Sequence, residues 1–345
     1  MRVTVPTIGD VARRAGVSPA TVSRVLNNPE SVRAERRLRV EQAIEDLGYL
    51  PFAAAQSLKS GRSLTIGAIF PRLDSVLFGS VLDEMQSWLD EAGYTLTVMT
   101  MDYDIGVEAK RVRQLIARGV DALILVGGWH APETEEIIAR HELPRVNVWS
   151  WHADSPHVQI GFCNREATRS AASHLCALGH RRIGMISRDP EGNDRAAACV
   201  AGVRDALEDA GLPIDPDLFA KAGFGIDEGA IAFSSLMSRT DPPTAVVCAS
   251  DLFAFGALRE ARRRGLGVPE DVSITGFDDS ELSQITTPAL TSVRTPRQQM
   301  AARCAQSILG YLTEGRAMSS LRFATELVVR DSTAPAASPR ACGGR

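Results

Sequence analysis

Apolar positions fall into two regimes along the chain. Between residues 7 and 47 they recur at spacings of three and four, which places them on helix faces. Ile8, Val11, Ala12 and Ala15 predict a first helix from about Ile8 to Ala15, with Thr7 as its N-cap and Gly16 ending it. Ser18 is placed to cap a second helix whose first position is Pro19, where the missing N–H costs nothing. Val22, Val25 and Leu26 form its inner face, and a third helix carries Val40, Ile44 and Leu47 ahead of Gly48. Two helices joined by a short turn containing Gly make a helix-turn-helix.

Pro51 to Ser63 breaks the pattern. Residues 52–59 have helical propensity over only about two turns, too short for an isolated helix in water. After Leu64 the chain alternates. Strand-like runs are Thr65–Phe70, Thr95–Thr100, Ala122–Val126, Arg145–Ser150, Val158–Phe162, Ile183–Ser187, Ala245–Ala249 and Ser273–Phe277. Amphipathic helices lie between most of them, for example Phe78–Ala92, Val107–Arg118, Arg165–Leu178, Ala196–Ala210 and Leu252–Arg264, each followed by Gly. Such alternation predicts parallel α/β sheets, and the number of elements favours two similar lobes with a cleft between them. The expected organisation is an all-α head at 1–50, a hinge at 51–63, a two-lobed α/β body at 64–330 and a disordered tail at 331–345.

Composition narrows the class. The 345 residues are 44% hydrophobic and 23% charged, an ordinary globular mixture. No apolar run approaches the length of a membrane span, and Met1 to Asp10 lacks the apolar core of a secretory signal, so a cytoplasmic protein is expected. The six cysteines are scattered, without CxxC or metal-ligand spacing. The net charge of −4 divides into +4 over residues 1–62 and −8 over the remainder, so only the head is suited to approach a polyanion.

In a helix-turn-helix the second helix enters the major groove. Here it offers Ser18, Thr21, Ser23 and Asn27 to phosphates, Arg24 to guanine or phosphate, and Pro19 and Ala20 to a thymine methyl. The segments Thr7-Ile-Gly-Asp-Val-Ala-Arg-Arg-Ala-Gly-Val-Ser-Pro-Ala-Thr-Val-Ser-Arg-Val-Leu-Asn27 and Arg39-Val-Glu-Gln-Ala-Ile-Glu-Asp-Leu-Gly-Tyr-Leu-Pro51 resemble the head of the lactose-repressor/galactose-repressor (LacI/GalR) family. Looser matches continue at Thr65–Pro71, His174–Ile183, Ala249–Gly256 and Ile274–Asp279. The resemblance implies a homodimer reading a pseudo-palindromic double-stranded operator, with Thr7 and Tyr49 among the DNA-facing residues. It also implies a hinge helix in the minor groove, with Leu58 as a wedge beside Lys59, a device that kinks the duplex. Phe52 departs from the polar Asn usual in the family.

For the body the resemblance implies a fold like the type I periplasmic sugar-binding proteins, with a small-molecule effector between the lobes. The matching positions are Phe78, Ser250, Asp251 and Asp278, with Phe162 as an aromatic wall. A carboxylate and an aromatic face suit a polyol. The competing reading makes Ser250 and Asp251 helix caps and Asp278-Asp279 turn residues. Cys199 stands where sugar repressors carry Arg, with Arg195 one turn earlier, and Cys163 stands where Asp is common. Gly127-Gly-Trp-His130, Gly161-Phe-Cys-Asn164 and Ser292–Arg297 resemble the gluconate-repressor branch, which implies a sugar acid facing Arg195 and His130. The competing reading of His130 is a surface or core histidine.

No cofactor, metal or catalytic motif is expected, because neither GxSxG, P-loop nor HExxH occurs. Two adjacent carboxylates such as Asp278 and Asp279 would point opposite ways on a strand. A ligand-controlled DNA-binding regulator, with repression as its mode, is the favoured reading. A transport solute-binding protein and a sugar-modifying enzyme with a DNA-binding appendage are the alternatives.

Overall fold

A computed structural model of the protein describes residues 6–50, 62–73, 76–102 and 104–336. The hinge residues Leu58 and Lys59, and the side chain of Asn27, lie outside the described part. The chain divides into two compact units, residues 1–63 and 64–345.

The first unit is built from α1 (Ile8–Ala15), α2 (Pro19–Asn27) and α3 (Ala34–Leu47). Both helix starts follow from local chemistry. The Thr7 Oγ1 accepts from Asp10 N at 3.3 Å while the Asp10 carboxylate accepts from Thr7 N at 2.9 Å, a reciprocal cap. Ser18 Oγ accepts from Thr21 N at 3.2 Å and opens α2. Gly16 closes α1 at φ 66°, the left-handed region. The inward faces supply Val11, Ala12, Ala15, Val22, Val25, Val40 and Ala43 to one small core.

The second unit has two lobes, each a six-stranded sheet covered by helices on both faces. The first lobe contains β1 (Thr65–Phe70), α4 (Val76–Glu91), β2 (Thr95–Thr100), α5 (Ile105–Ala117), β3 (Ala122–Val126), α6 (Pro132–Arg140), β4 (Arg145–Val148) and β5 (Gln159–Phe162). The chain then enters the second lobe. There it forms α7 (Asn164–Ala177), β6 (Ile183–Ser187), α8 (Asp194–Asp209), β7 (Phe219–Lys221), α9 (Ile226–Met237), β8 (Ala245–Cys248), α10 (Asp251–Arg263), β9 (Ser273–Asp278) and β10 (Thr291–Arg294). It returns through α11 (Arg297–Glu314) and β11 (Leu321–Phe323) to the first lobe, and β12 (Glu326–Val328) closes the second. The strand orders are β11-β5-β4-β3-β1-β2 and β12-β10-β9-β8-β6-β7, parallel throughout except that β12 runs antiparallel to β10. Three crossings therefore join the lobes. Every residue of β3, β6 and β9 is buried, as expected for strands covered on both faces.

The helices of the second lobe pair through glycines. A methyl group at Gly202 of α8 would meet the Arg165 carbonyl of α7 at 2.1 Å, and one at Gly256 of α10 would meet the Ile226 carbonyl of α9 at 2.1 Å. The tail differs from expectation. Residues 331–336 are packed: Ser332 Oγ donates to the Ile274 carbonyl at 2.6 Å and accepts from Thr291 N at 2.8 Å. Ala334 N donates to Ser273 Oγ at 3.1 Å. Two hydroxyls and the edge of β9 capture a segment whose composition alone reads as disordered.

Substitution Gly202→Ala should cost on the order of 3 kcal/mol, because backbone cannot yield as a side-chain tip does. Gly16→Ala, with open space but left-handed φ, should cost about 1 kcal/mol. Urea unfolding of the full chain measures both, and equal costs would contradict the close-approach account.

Candidate functional site

On the head, α2 presents Ser18, Pro19, Ala20 and Arg24 to solvent, with Thr21 and Ser23 half-buried beside them. Ser18 Oγ and Thr21 Oγ1 lie 3.0 Å apart. Thr7 stands at the start of α1 as its cap. Tyr49 is different. Gly48 turns the chain at φ 58°, Tyr49 N bonds back to the Ile44 carbonyl at 3.0 Å, and the ring joins the head's core at 8% exposure. The structure thus places the ring as a support for α3.

In the body a cleft of about 700 Å³, counting its open mouth, lies between the lobes. Its first-lobe wall is aromatic. Trp149 follows β4 at φ 66° and packs edge-on against Phe78, 5.1 Å between centroids, with Phe70 behind. The second lobe contributes Ser187, Arg188, Asn193, Arg195, Cys199, Phe224, Ser250, Phe277 and Asp278. The buried Trp149 Nε1 and Ser187 Oγ have no hydrogen-bond partner among the described residues, so both remain available to a polar guest.

The floor is set by two successive left-handed residues at the end of β9, Asp278 at φ 103° and Asp279 at φ 48°. Such conformations persist only where surroundings impose them. Here Arg294 and Arg330 hold Asp279 at 2.8 and 2.6 Å, and Asp278 is left facing the cleft. The two carboxylates do point opposite ways. Burial, reinforced by the charge of Asp251, pushes the Asp278 carboxyl well above its ordinary range, with Arg297 and Thr295 opposing.

Three residues expected at the effector site, Asp251, Phe162 and His130, lie outside the cleft, and a fourth, Ser250, has a second role. Ser250 lines the cleft and also caps α10, its Oγ accepting from Leu252 N at 3.3 Å. Asp251 does not line the cleft. Its carboxylate is enclosed by Ser280 N at 2.6 Å, Ser283 Oγ at 2.8 Å and Ser292 Oγ at 2.6 Å, a structural role. Phe162 is fully buried behind the cleft, 6.1 Å from Phe277, and the aromatic walls are Trp149, Phe224 and Phe277 instead. His130 is a core histidine: Glu108 of α5 meets its Nδ1 at 2.9 Å, and its side chain is wholly covered. Ala131 follows as the N-cap of α6, which starts at Pro132.

Phe78, Arg195, Ser250 and Asp278 are brought together, with Cys199 among them. Burial pushes the Cys199 thiol up to about 12, so it is a neutral, weakly polar wall. Cys163 sits at the N-cap of α7, outside the cleft. Trp149, Arg188, Phe224 and Phe277 were missed by sequence reasoning. Phe277 lies in the Ile274–Asp279 segment without having been singled out there, the other three belong to no short motif, and only the lobe geometry faces them toward one another.

A Ser150–His152–Asp194 group lies beside the cleft. Ser150 Oγ and His152 Nε2 are 2.9 Å apart, and one oxygen, Asp194 Oδ2, contacts both, at 2.7 and 3.2 Å. A catalytic triad uses opposite ring nitrogens for its serine and its carboxylate. Here both partners meet Nε2, so the proton relay is not built. No cluster of three or more metal-ligating side chains occurs among the described residues.

The head and cleft together define a DNA-binding transcription regulator with a ligand-binding body. The pattern of bacterial regulatory proteins of the lacI family matches residues 7–51, and that of the periplasmic binding protein-like domain matches residues 172–333. The chain is 33% identical over 334 residues to the HTH-type transcriptional repressor CytR of Escherichia coli K12, covering 96% of this chain and 97% of that protein. It is 36% identical over 342 residues to the HTH-type transcriptional regulator MalR of Streptomyces coelicolor, covering 96% and 98%. Among solved structures, a LacI-family regulator from Silicibacter pomeroyi superposes with a TM-score of 0.86 at 25% identity, over 95% of this chain and 99% of that one. The lac repressor dimer bound to operator and the anti-inducer ONPF superposes with a TM-score of 0.83 at 28% identity, over the same shares. The chain belongs to the LacI family of transcriptional regulators. Its relatives are regulators, not enzymes.

Because the Asp278 carboxyl is raised in the folded state, the folded protein prefers it protonated, and stability is lost as pH rises above the ordinary value of 3.8. Asp278→Asn should therefore raise Tm by a few degrees at neutral pH and by nothing at pH 3.5. A melting series across that range that shows no pH-dependent gain would contradict the burial of this carboxyl.

Proposed function

We propose that the chain is a homodimeric repressor that reads a pseudo-palindromic operator and responds to a sugar or sugar acid held between its lobes. The exposed polar face of α2 carries the reading: Ser18, Thr21, Ser23 and Arg24 stand together on the helix that a helix-turn-helix inserts into the major groove. The +4 charge of the head supplies the sequence-independent attraction to phosphate. Thr7, Asn27, Leu58 and Lys59 complete the proposed DNA surface.

The cleft supports the effector class. Aromatic faces suit the apolar side of a pyranose, and Asp278, Ser187 and Trp149 Nε1 suit its hydroxyls. Arg188 and Arg195 suit a carboxylate. A solved relative, the regulator CelR, is described in complex with cellobiose. Ligand and operator would be linked by a coupling free energy, each biasing the same lobe arrangement. The protein would act in the cytoplasm, and no described helix is long and apolar enough to cross a membrane. Ile285 after β9, at 75% exposure, is a large apolar side chain of the second lobe and the test position for a subunit interface.

Selection from randomised duplex DNA at fixed salt should return a two-fold related site of roughly 14–20 bp. Arg24→Ala should weaken that site by about 1–3 kcal/mol. Recovery of no site, with and without a panel of sugars and sugar acids, would sink the regulator mechanism proposed here. Sedimentation should show a dimer that Ile285→Glu weakens by roughly tenfold or more. A wild-type monomer at micromolar concentration would refute the dimer.

A further inference from the structure

The turn after β3 and the turn after β4, both in the first lobe, meet the start of α8, in the second, at one carboxylate. Asp194 occupies the first position of α8, is 3% exposed, and accepts from Gly128 N at 2.6 Å and Ser150 Oγ at 2.7 Å, with His152 Nε2 at 3.2 Å. All three partners belong to the first lobe. Its other oxygen faces Arg195 Nη1 at 3.5 Å, and Arg195 lines the cleft. The neighbouring Asn193 caps α8 through Ala196 N at 3.2 Å and also lines the cleft.

A second observation is independent of these hydrogen bonds. Gly127 and Gly128 lie close against side chains of the second lobe: a methyl at Gly127 would meet Arg195 Nη1 at 2.3 Å and Asp194 Oδ1 at 2.7 Å, and one at Gly128 would meet Asp194 Oδ2 at 3.3 Å. The paired glycines let the first lobe close down on this carboxylate. A charge withdrawn from water needs such a set of donors, and opening the lobes removes every one of them except Arg195.

We infer that Asp194 is the positioning residue that latches the two lobes across the cleft and holds Arg195 toward whatever the cleft binds. It deepens the effector-site reading and rests on it only for the role of Arg195. Burial by itself would raise the Asp194 carboxyl, but the His152, Arg195, Ser150 and Gly128 contacts outweigh it and hold the group well below the carboxylate range. It therefore stays charged at every pH where the protein works. His152 is raised, chiefly by its bond to Asp194 against the opposing effect of burial, and Asp194 is the charge its ring meets. Protonating His152 thus tightens the latch. Closure should strengthen as pH falls toward the ordinary histidine value of 6.5 and weaken as pH rises through the raised one.

Hydrogen–deuterium exchange of the full-length protein, without ligand, reads the latch directly through the Gly128 amide. In Asp194→Asn, peptides spanning 127–130 and 149–153 should exchange on the order of tenfold to a hundredfold faster, the range for hydrogen bonds to a charged group. Peptides of α10 and of the head should be unchanged. Gly128→Ala, made in the opposite lobe, should reproduce the same local pattern if Asp194→Asn folds poorly. Unaltered exchange in 127–130 and 149–153, or faster exchange spread evenly over the chain, would overturn the latch. Trp129, Trp149 and Trp151 flank the site, so tryptophan fluorescence between pH 5.5 and 8.5 should show a transition that His152→Gln abolishes. A transition surviving that substitution would remove His152 from the mechanism. If the exchange pattern appears while no sugar or sugar acid raises Tm, the latch stands and the effector class falls.

Discussion

A carboxylate taken out of water must be surrounded by donors, and the second lobe is arranged around one that is. Asp251 opens α10, and its two oxygens accept from the Ser280 backbone, Ser283 and Ser292. Those partners lie on the turn after β9 and on β10, so the one group ties a helix start, a turn and a neighbouring strand together. Gly276 of β9 stays bare because a methyl there would meet Asp251 Oδ1 at 2.3 Å. With α10 pinned to β9 in this way, Ser250 and Asp278 have fixed positions at the cleft floor. Substituting any donor leaves a buried lone pair unsatisfied, which costs more than the bond itself contributes.

The same economy of donors explains the backbone strain beside it. Asp278 and Asp279 adopt left-handed conformations that cost free energy for residues with a Cβ. The two guanidinium groups on Asp279, from β10 and from the segment after β12, offset that cost. Both arginines lie on or next to the segments by which the chain crosses between lobes. The cleft's acid, the crossing strands and the packed 331–336 segment are therefore one connected arrangement.

Much of this was legible in the linear chain where a rule is local. The helices of the head, their caps at Thr7 and Ser18, and four of the eight strand-like runs in the body emerge with the bounds that period and turn chemistry suggest, and the other four differ at one end by one or two residues. The strands Phe219–Lys221, Thr291–Arg294, Leu321–Phe323 and Glu326–Val328 did not, being three or four residues long, too short for a run or an alternation to stand out. The cleft was legible in part. Ser250 and Asp278 stand in segments that resemble family motifs and Phe78 at a position the resemblance implies, but Trp149, Phe224 and Arg188 do not, and His130 and Phe162 carry the right chemistry in the wrong place. A histidine beside glycines has no local signal that tells a ligand from a core residue. Glu108, 22 positions away, decided it.

What the amino-acid sequence determined by itself is whatever depends on neighbours within a few residues: the helix-turn-helix with its polar outer face, the α/β alternation, the charge split between head and body, and membership of a class that binds DNA. What only the tertiary structure decided is which side chains face one another across the two lobes. Asp194, Ser150, His152 and Gly128 are separated by up to 66 positions, and nothing in their spacing links them. They meet because two sheets, each built from local rules, are joined by three crossings that bring the first turn of α8 under the ends of β3 and β4. Burial then turns an ordinary surface carboxylate into a group that must be shared between the lobes.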